Sequence, residues 1–363
     1  MTIFLSIIVL LCLLGFAYLQ HPKFGKLPTG ERKKRVENSP NFRDGQFQNL
    51  HKTADLTEGT TYFNVIKKFL FEKNKRAEPG EPIPAIKTNL HDLDPGKNVL
   101  IWFGHSSYYL QIDGKTILVD PVFSGSASPM PFGTKAFKGT RIYSAEDIPE
   151  IDYLFISHDH WDHLDYETIL KLKPKIKKVI TGLGTGEHFE TWGYKKEILI
   201  EKDWNEQINL GEGFIVHTVP ARHFSGRSLK RNPVLWTSFV LQTPGTKIFI
   251  GGDSGYDTHF AEIGRKFGPF DLAILENGQY NTAWRYIHML PEETLKAARD
   301  LQAKKLIPIH NSKFCLSLHA WDEPLKKITT LQKDQNLHIL TPKIGEKVFI
   351  NDDGQIFSEW FNN

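Results

Sequence analysis

Five apolar, strand-like runs in this sequence each lead into a side chain that can bind a metal. "TILVD" ends at Asp120, "YLFIS" meets His158, "HTVPA" leads to His223, "KIFIGG" to Asp253 and "KLIPI" to His310. At a strand end a loop can carry chemistry while the sheet fixes its position. One such histidine is ordinarily a satisfied polar residue. Their joint occurrence predicts a metal site along one edge of a β-rich core.

The densest stretch is "ISHDHWDHLD", Ile156 to Asp165. His158 and His160 are two apart and point the same way if the segment is extended. Asp162 and His163 follow as the chain turns toward a helix near Leu164, and so face a second position. Imidazole and carboxylate ligands suit zinc, iron or manganese better than calcium. The two cysteines, Cys12 and Cys315, provide neither a disulfide framework nor a cysteine-based zinc ribbon. Two histidines cannot close a catalytic site, which ordinarily takes three protein ligands per metal and gains from a bridging carboxylate. His223, Asp253 and His310 supply these in number and kind.

From Asn98 onward, runs such as "VLIWF", "SYYLQI", "KKVIT", "GFIVHTV", "TSFVLQT" and "DLAIL" read as strands. Helical spacing appears over Leu164–Leu172, Asp257–Lys266, Pro291–Ala303 and Trp321–Gln332. Hairpins first and helices between later strands predict two sheets packed face to face with helices outside. The expected division is residues 1–20 as a transmembrane anchor or signal segment, 21–90 as a tether and wrapping segment, and 91–363 as the main folded domain that carries the candidate metal site. "TIFLSIIVLLCLLGFAYL", Thr2 to Leu19, carries no charge and is about long enough for a bilayer core of roughly 30 Å. No Lys or Arg precedes it, while Lys23, Lys26, Arg32, Lys33, Lys34 and Arg35 follow. That asymmetry predicts an uncleaved single-pass anchor with the catalytic domain in the cytoplasm; export after signal cleavage is the alternative. The net charge of +3 and the lack of a basic stripe in the catalytic part argue against a nucleic-acid partner.

"SHDHWDHLD" resembles the His-x-His-x-Asp-His motif of the metallo-β-lactamase superfamily. With "WFGHSSYYL", "VDPVFSGSASP", "VPARHFSGR", "GGDSGY", "YIHMLPEETLKAA" and "IPIHNSKF", the chain is similar to N-acylphosphatidylethanolamine-hydrolysing phospholipase D and its bacterial relatives over about residues 98–335. The resemblance implies an α/β fold, the αββα four-layer sandwich, here with an N-terminal membrane-anchor helix. It also implies two zinc ions, iron or manganese being alternatives. His158, His160 and His223 would hold one, Asp162, His163 and His310 the other, and Asp253 would bridge them. Asp120 matches an aspartate that supports the metal-binding histidines, and His288 a histidine near the reaction centre. His105, in the "GH" after the first strand, reads either as a group supporting the ligands or as a turn residue. Ile287 departs from the pattern by standing where the lipases carry Gln, which bears on headgroup recognition.

The expected reaction is metal-dependent hydrolysis of a phosphodiester, with Asp253 in the catalytic set and His288 or Asp162 as proton carrier. The substrate implied by the resemblance is a membrane phospholipid, cleaved to N-acylethanolamine and phosphatidic acid. The basic flank would rest on an anionic membrane surface. Alternatives are a hydrolase of the same fold acting on a soluble substrate such as a sugar-acid lactone, a nuclease, and a non-enzymatic membrane scaffold. Trp161 and Trp284 read either as walls of an acyl groove or as core.

Overall fold

The computed structural model describes residues 2–72, 74–130, 133–332 and 336–362. The chain opens with helices α1 (Thr2–Leu19) and α2 (Gly30–Glu37), a short hairpin of β1 (Phe42–Arg43) and β2 (Gln46–Phe47), and helix α3 (Tyr62–Phe71). Strands β3 (Val99–Trp102), β4 (Tyr108–Ile112), β5 (Lys115–Val119) and β6 (Ile151–Ile156) come next. They are followed by α4 (Tyr166–Leu172), β7 (Ile176–Gly182), α5 (Gly186–Thr191) and β8 (Leu199–Lys202). The second half holds β9 (Gln207–Gly211), β10 (Phe214–Val219), β11 (Ser238–Gln242), β12 (Lys247–Ile250), α6 (His259–Phe267) and β13 (Leu272–Glu276). Then come α7 (Pro291–Asp300), β14 (Lys305–Ile309), α8 (Glu323–Leu331), β15 (His338–Ile339) and β16 (Lys347–Phe349).

Two seven-stranded sheets result, in the orders β16-β3-β4-β5-β6-β7-β8 and β15-β14-β13-β12-β11-β10-β9. Each is antiparallel on one side and parallel on the other: β5 through β8 run parallel, as do β12 through β15. Strand alternation sorts the apolar residues into layers. On β6, Tyr153 and Phe155 join the cluster between the sheets, where Phe155 meets Phe239 edge-on at 5.0 Å. Leu154 and Ile156 instead pack outward with Ile169 and Leu172 of α4 and Phe189 of α5. The outer face of the second sheet is covered by Phe260 and Ile263 of α6, Leu295 of α7 and Ile328 of α8. The layers are therefore helix, sheet, sheet, helix, as the sequence implied.

Parts of the segment 21–90 pack on this body. Val36 and Phe47 share an apolar cluster with Trp204 and Trp236. The buried Arg32 guanidinium is held by Glu187 at 2.8 Å, Glu190 at 3.0 Å and Glu201 at 2.7 Å. Of the expected basic flank only Arg32 is buried among the described residues; Arg35, though exposed, donates to the Glu201 carbonyl, and the partly buried Lys23 Nζ to the Pro129 carbonyl.

The expectation of a membrane-spanning anchor is corrected. Residues Thr2–Leu19 do form a helix, with apolar side chains exposed along it. Among the described residues, however, no helix is long and apolar enough to cross a membrane.

Candidate metal centre

The parallel strands all point their carboxyl ends to one edge, the usual place for a ligand crevice in such sheets. Asp120 follows β5, His158 lies just past β6, Asp253 follows β12 and His310 follows β14. His223 enters from the loop after β10. Three site residues are held with left-handed backbone, His105 at φ 55°, Asp120 at 40° and His310 at 65°. Such conformations cost of order 1 kcal/mol or more for these residue types and persist where the surrounding structure enforces them. Gly252 lets Asp253 approach the histidine loop, because a Cβ there would sit 2.6 Å from Ser157 Cβ.

All seven residues expected as ligands converge. His158 Nε2 lies 2.9 Å from His160 Nδ1, and His223 Nε2 lies 3.3 Å from the same atom. Asp253 Oδ2 is 3.8 Å from His158 Nε2, 3.7 Å from His223 Nε2 and 3.2 Å from His163 Nε2, while Oδ1 is 3.1 Å from His310 Nδ1. Asp253 therefore stands between two groups of potential ligands. One is His158, His160 and His223; the other is His105, Asp162, His163 and His310. Ligands about 2.0–2.2 Å from a tetrahedral ion are about 3.3–3.6 Å apart, close to the separations seen here. His163 Nε2 and Asp253 Oδ1 are buried without a hydrogen-bond partner. Buried unpaired lone pairs are costly, and a cation between them would satisfy both. The residues fit a metal pair.

Surrounding groups orient the rings. His163 Nδ1 donates to Asp120 Oδ2 at 2.8 Å, and Asp120 in turn accepts from the Ser157 amide and hydroxyl. His223 Nδ1 donates to the Ile287 carbonyl at 3.0 Å. The departure at position 287 thus contributes through its backbone, and its side chain lines the cavity. His105 Nε2 lies 2.8 Å from Asp162 Oδ2, which places it beside that carboxylate rather than in a bare turn. Burial first, and neighbouring imidazoles second, hold His158, His223 and His310 well below the ordinary histidine range. Their neutral nitrogens are the form a metal requires.

The sequence reading missed three contributors. Glu276, the last residue of β13, lies 2.6 Å from His288 Nδ1 and accepts from the Met289 amide. It ends a strand as the other site residues do, a signal lost when the run was read as stopping at Leu275. Arg227 is buried, donates to the Asp159 and Leu164 carbonyls at 2.8 and 2.6 Å, and lies 4.0 Å over Trp161. It also donates to the Lys23 carbonyl, and so joins the N-terminal segment to the histidine loop. His188 lies 3.3 Å from Asp159 on the same side.

A cavity of about 330 Å³ opens beside the centre. His160, Asp162, His223, Asp253, His288 and His310 form its polar wall; aromatic and aliphatic side chains including Phe69, Phe224, Trp284 and Leu316 line much of the rest, together with Asp55, Arg231 and Gln279. Trp284 thus lines the cavity, whereas Trp161 packs beneath Arg227.

Residues 115–311 match the family described as "Beta-lactamase superfamily domain". An uncharacterised protein of Mycobacterium tuberculosis is 37% identical over 317 residues, covering 86% of this chain and 85% of its own. An N-acyl-phosphatidylethanolamine-hydrolysing phospholipase D of Caenorhabditis elegans is 30% identical over 223 residues, covering 58% of this chain and 62% of its own. Among solved structures, a metallo hydrolase from the archaeon Ignicoccus hospitalis aligns with a TM-score of 0.53 at 21% identity, over 69% of this chain and 97% of that one.

Proposed function

Because the chain belongs to the metallo-β-lactamase superfamily and is a metal-dependent hydrolase, we propose that it is a binuclear phosphodiesterase of phospholipase D type. Its substrate on this reading is N-acylphosphatidylethanolamine, and its products are N-acylethanolamine and phosphatidic acid. The observation that carries the reading is the cavity, which sets apolar and aromatic side chains, with the Arg231 cation among them, against the ligand cluster. An acyl chain beside a phosphodiester matches that distribution; a compact polar substrate does not.

His158, His160 and His223 would hold one metal, Asp162, His163 and His310 the other, with Asp253 between them and zinc as the expected ion. The metals when bound supply Lewis acidity, making water a nucleophile near neutral pH and offsetting charge that builds on the phosphoryl oxygens. Asp120, Ser157 and the Ile287 carbonyl fix the imidazoles, so that little reorganisation remains for the reaction itself. Hydrolysis forms a bond from the water oxygen to phosphorus and breaks the bond from phosphorus to the ethanolamine oxygen. The departing alkoxide takes up a proton. His288 is placed to deliver it: Glu276 occupies Nδ1, which leaves Nε2 for the cavity. Asp162 is the poorer carrier because its Oδ2 is engaged by His105 and also faces His163 at 3.5 Å.

Purified full-length protein, supplied with metal, would be given N-acylphosphatidylethanolamine in vesicles and, separately, a panel of sugar-acid lactones. Release of N-acylethanolamine supports the reading. Lactone turnover without phospholipid cleavage overturns it.

A further inference from the structure

Helix α3 is built with an apolar side that no described residue buries. None of its residues is buried, and Phe63, Ile66 and Leu70 are 75%, 55% and 68% exposed. These three are spaced i, i+3, i+7 and form one stripe. A neighbouring stripe, Val65 and Phe69, turns to the catalytic cavity, where Phe69 stacks on Trp284 with ring centroids 6.0 Å apart. Asn64, Lys67 and Lys68 occupy the remaining side, with Phe71, 78% exposed, at its C-terminal end. The helix is firmly placed: Thr61 caps it by accepting from the Asn64 amide, Tyr62 donates to Asp55, and Thr57 donates to the Ala283 carbonyl.

We propose that α3 is a lipid-surface docking helix. Its Phe63–Ile66–Leu70 stripe enters the outer layer of an anionic bilayer and brings the cavity mouth to the lipid. Charge selects this occupant, because residues 62–75 carry four lysines against one acid, Glu72. A short amphipathic helix with large apolar residues on one side and lysines on the other is the form that lies in a membrane interface. Its position adds a second reason. The helix that bears the stripe also supplies cavity wall, so a molecule leaving the lipid layer along α3 passes Phe69 and Trp284 on its way to the ligand cluster. The inference rests on the phospholipid reading for its purpose, but its own test does not depend on catalysis.

The full chain would be mixed with vesicles of phosphatidylcholine containing phosphatidylglycerol as the minor component. Amide hydrogen exchange of residues 62–71 would be followed with and without vesicles, and vesicle binding measured by co-sedimentation. The comparison protein is the triple variant Phe63→Ser, Ile66→Ser, Leu70→Ser, checked for an unchanged thermal midpoint; none of the three residues lines the cavity. The expected results are slowed exchange across 62–71 on vesicle addition, and a vesicle affinity at least about tenfold lower in the variant. Exchange in 62–71 that vesicles leave unchanged, equal binding by the variant, or self-association through α3 in place of vesicle binding would each overturn the proposal. A wild-type protein that docks through α3 yet cleaves no phospholipid upholds the docking helix and removes the substrate reading.

Discussion

His163 joins two carboxylates, with Nδ1 2.8 Å from Asp120 Oδ2 and Nε2 3.2 Å from Asp253 Oδ2. Asp120 thereby sets the ring that Asp253 and the metal would share. Asp120→Asn keeps the size of the side chain and removes its charge. Chelator competition is expected to show metal affinity about 10–100-fold weaker. Unchanged affinity would remove Asp120 from the account.

Glu276 and His288 form a pair beside the ligand cluster, 2.6 Å apart. Glu276→Ala frees the imidazole to rotate, and kcat on the phospholipid is expected to fall by about 100-fold with metal content preserved. Glu276→Gln, which retains a hydrogen-bonding group, should recover part of the loss. Equal losses in both variants, accompanied by loss of metal, would make Glu276 a structural residue only.

Arg32 offsets three carboxylates at the seam between the N-terminal segment and the body. Arg32→Met leaves buried charge uncompensated, and urea unfolding is expected to show a loss of about 3–5 kcal/mol. The pH dependence has a definite sign. Burial raises the Glu187 carboxyl, but bonds from Arg32 and Thr29 outweigh it and leave its pKa below the ordinary value. The stability it contributes is therefore present above the unfolded value of about 4.3 and is lost as pH falls through the lower folded value. Glu187→Gln should flatten the stability profile in that acid window. An unchanged profile would contradict the assignment.

Arg227 donates from one guanidinium to the Asp159, Leu164 and Lys23 carbonyls while lying over Trp161. Lysine reproduces the charge but neither the planar fork nor the stack. Arg227→Lys is expected to weaken metal binding about tenfold by loosening the histidine loop, readable in the same chelator competition. A variant that binds metal as tightly as the wild type would show that the loop holds its shape without this bracket.

The metal centre was legible because its ligands sit where apolar strand periodicity stops, and that periodicity is a local signal. Asp120, His158, Asp253 and His310 could each be found from the run before them. Glu276 obeys the same rule but closes a run already complete as a strand at Leu275. Strands β8, "LIEK", and β9, "QINLG", are weak local signals because they are short, partly exposed edge strands with only two apolar residues each. Strand β16 pairs antiparallel with β3, some 250 residues earlier, a contact that no local pattern encodes. The same holds for Arg32, which read as part of a basic flank and is buried against Glu187 and Glu201. The uncharged N-terminal run was legible as a helix, although among the described residues no helix is long and apolar enough to cross a membrane.

The central claim is that Asp253 stands between two metals. Elemental analysis of purified full-length protein, set beside Asp253→Asn, counts them directly. Two metal ions per wild-type chain and fewer than two in the variant are the expected result. A wild-type chain that carries one ion or none after exposure to zinc, or an Asp253→Asn chain that retains both, would contradict the claim.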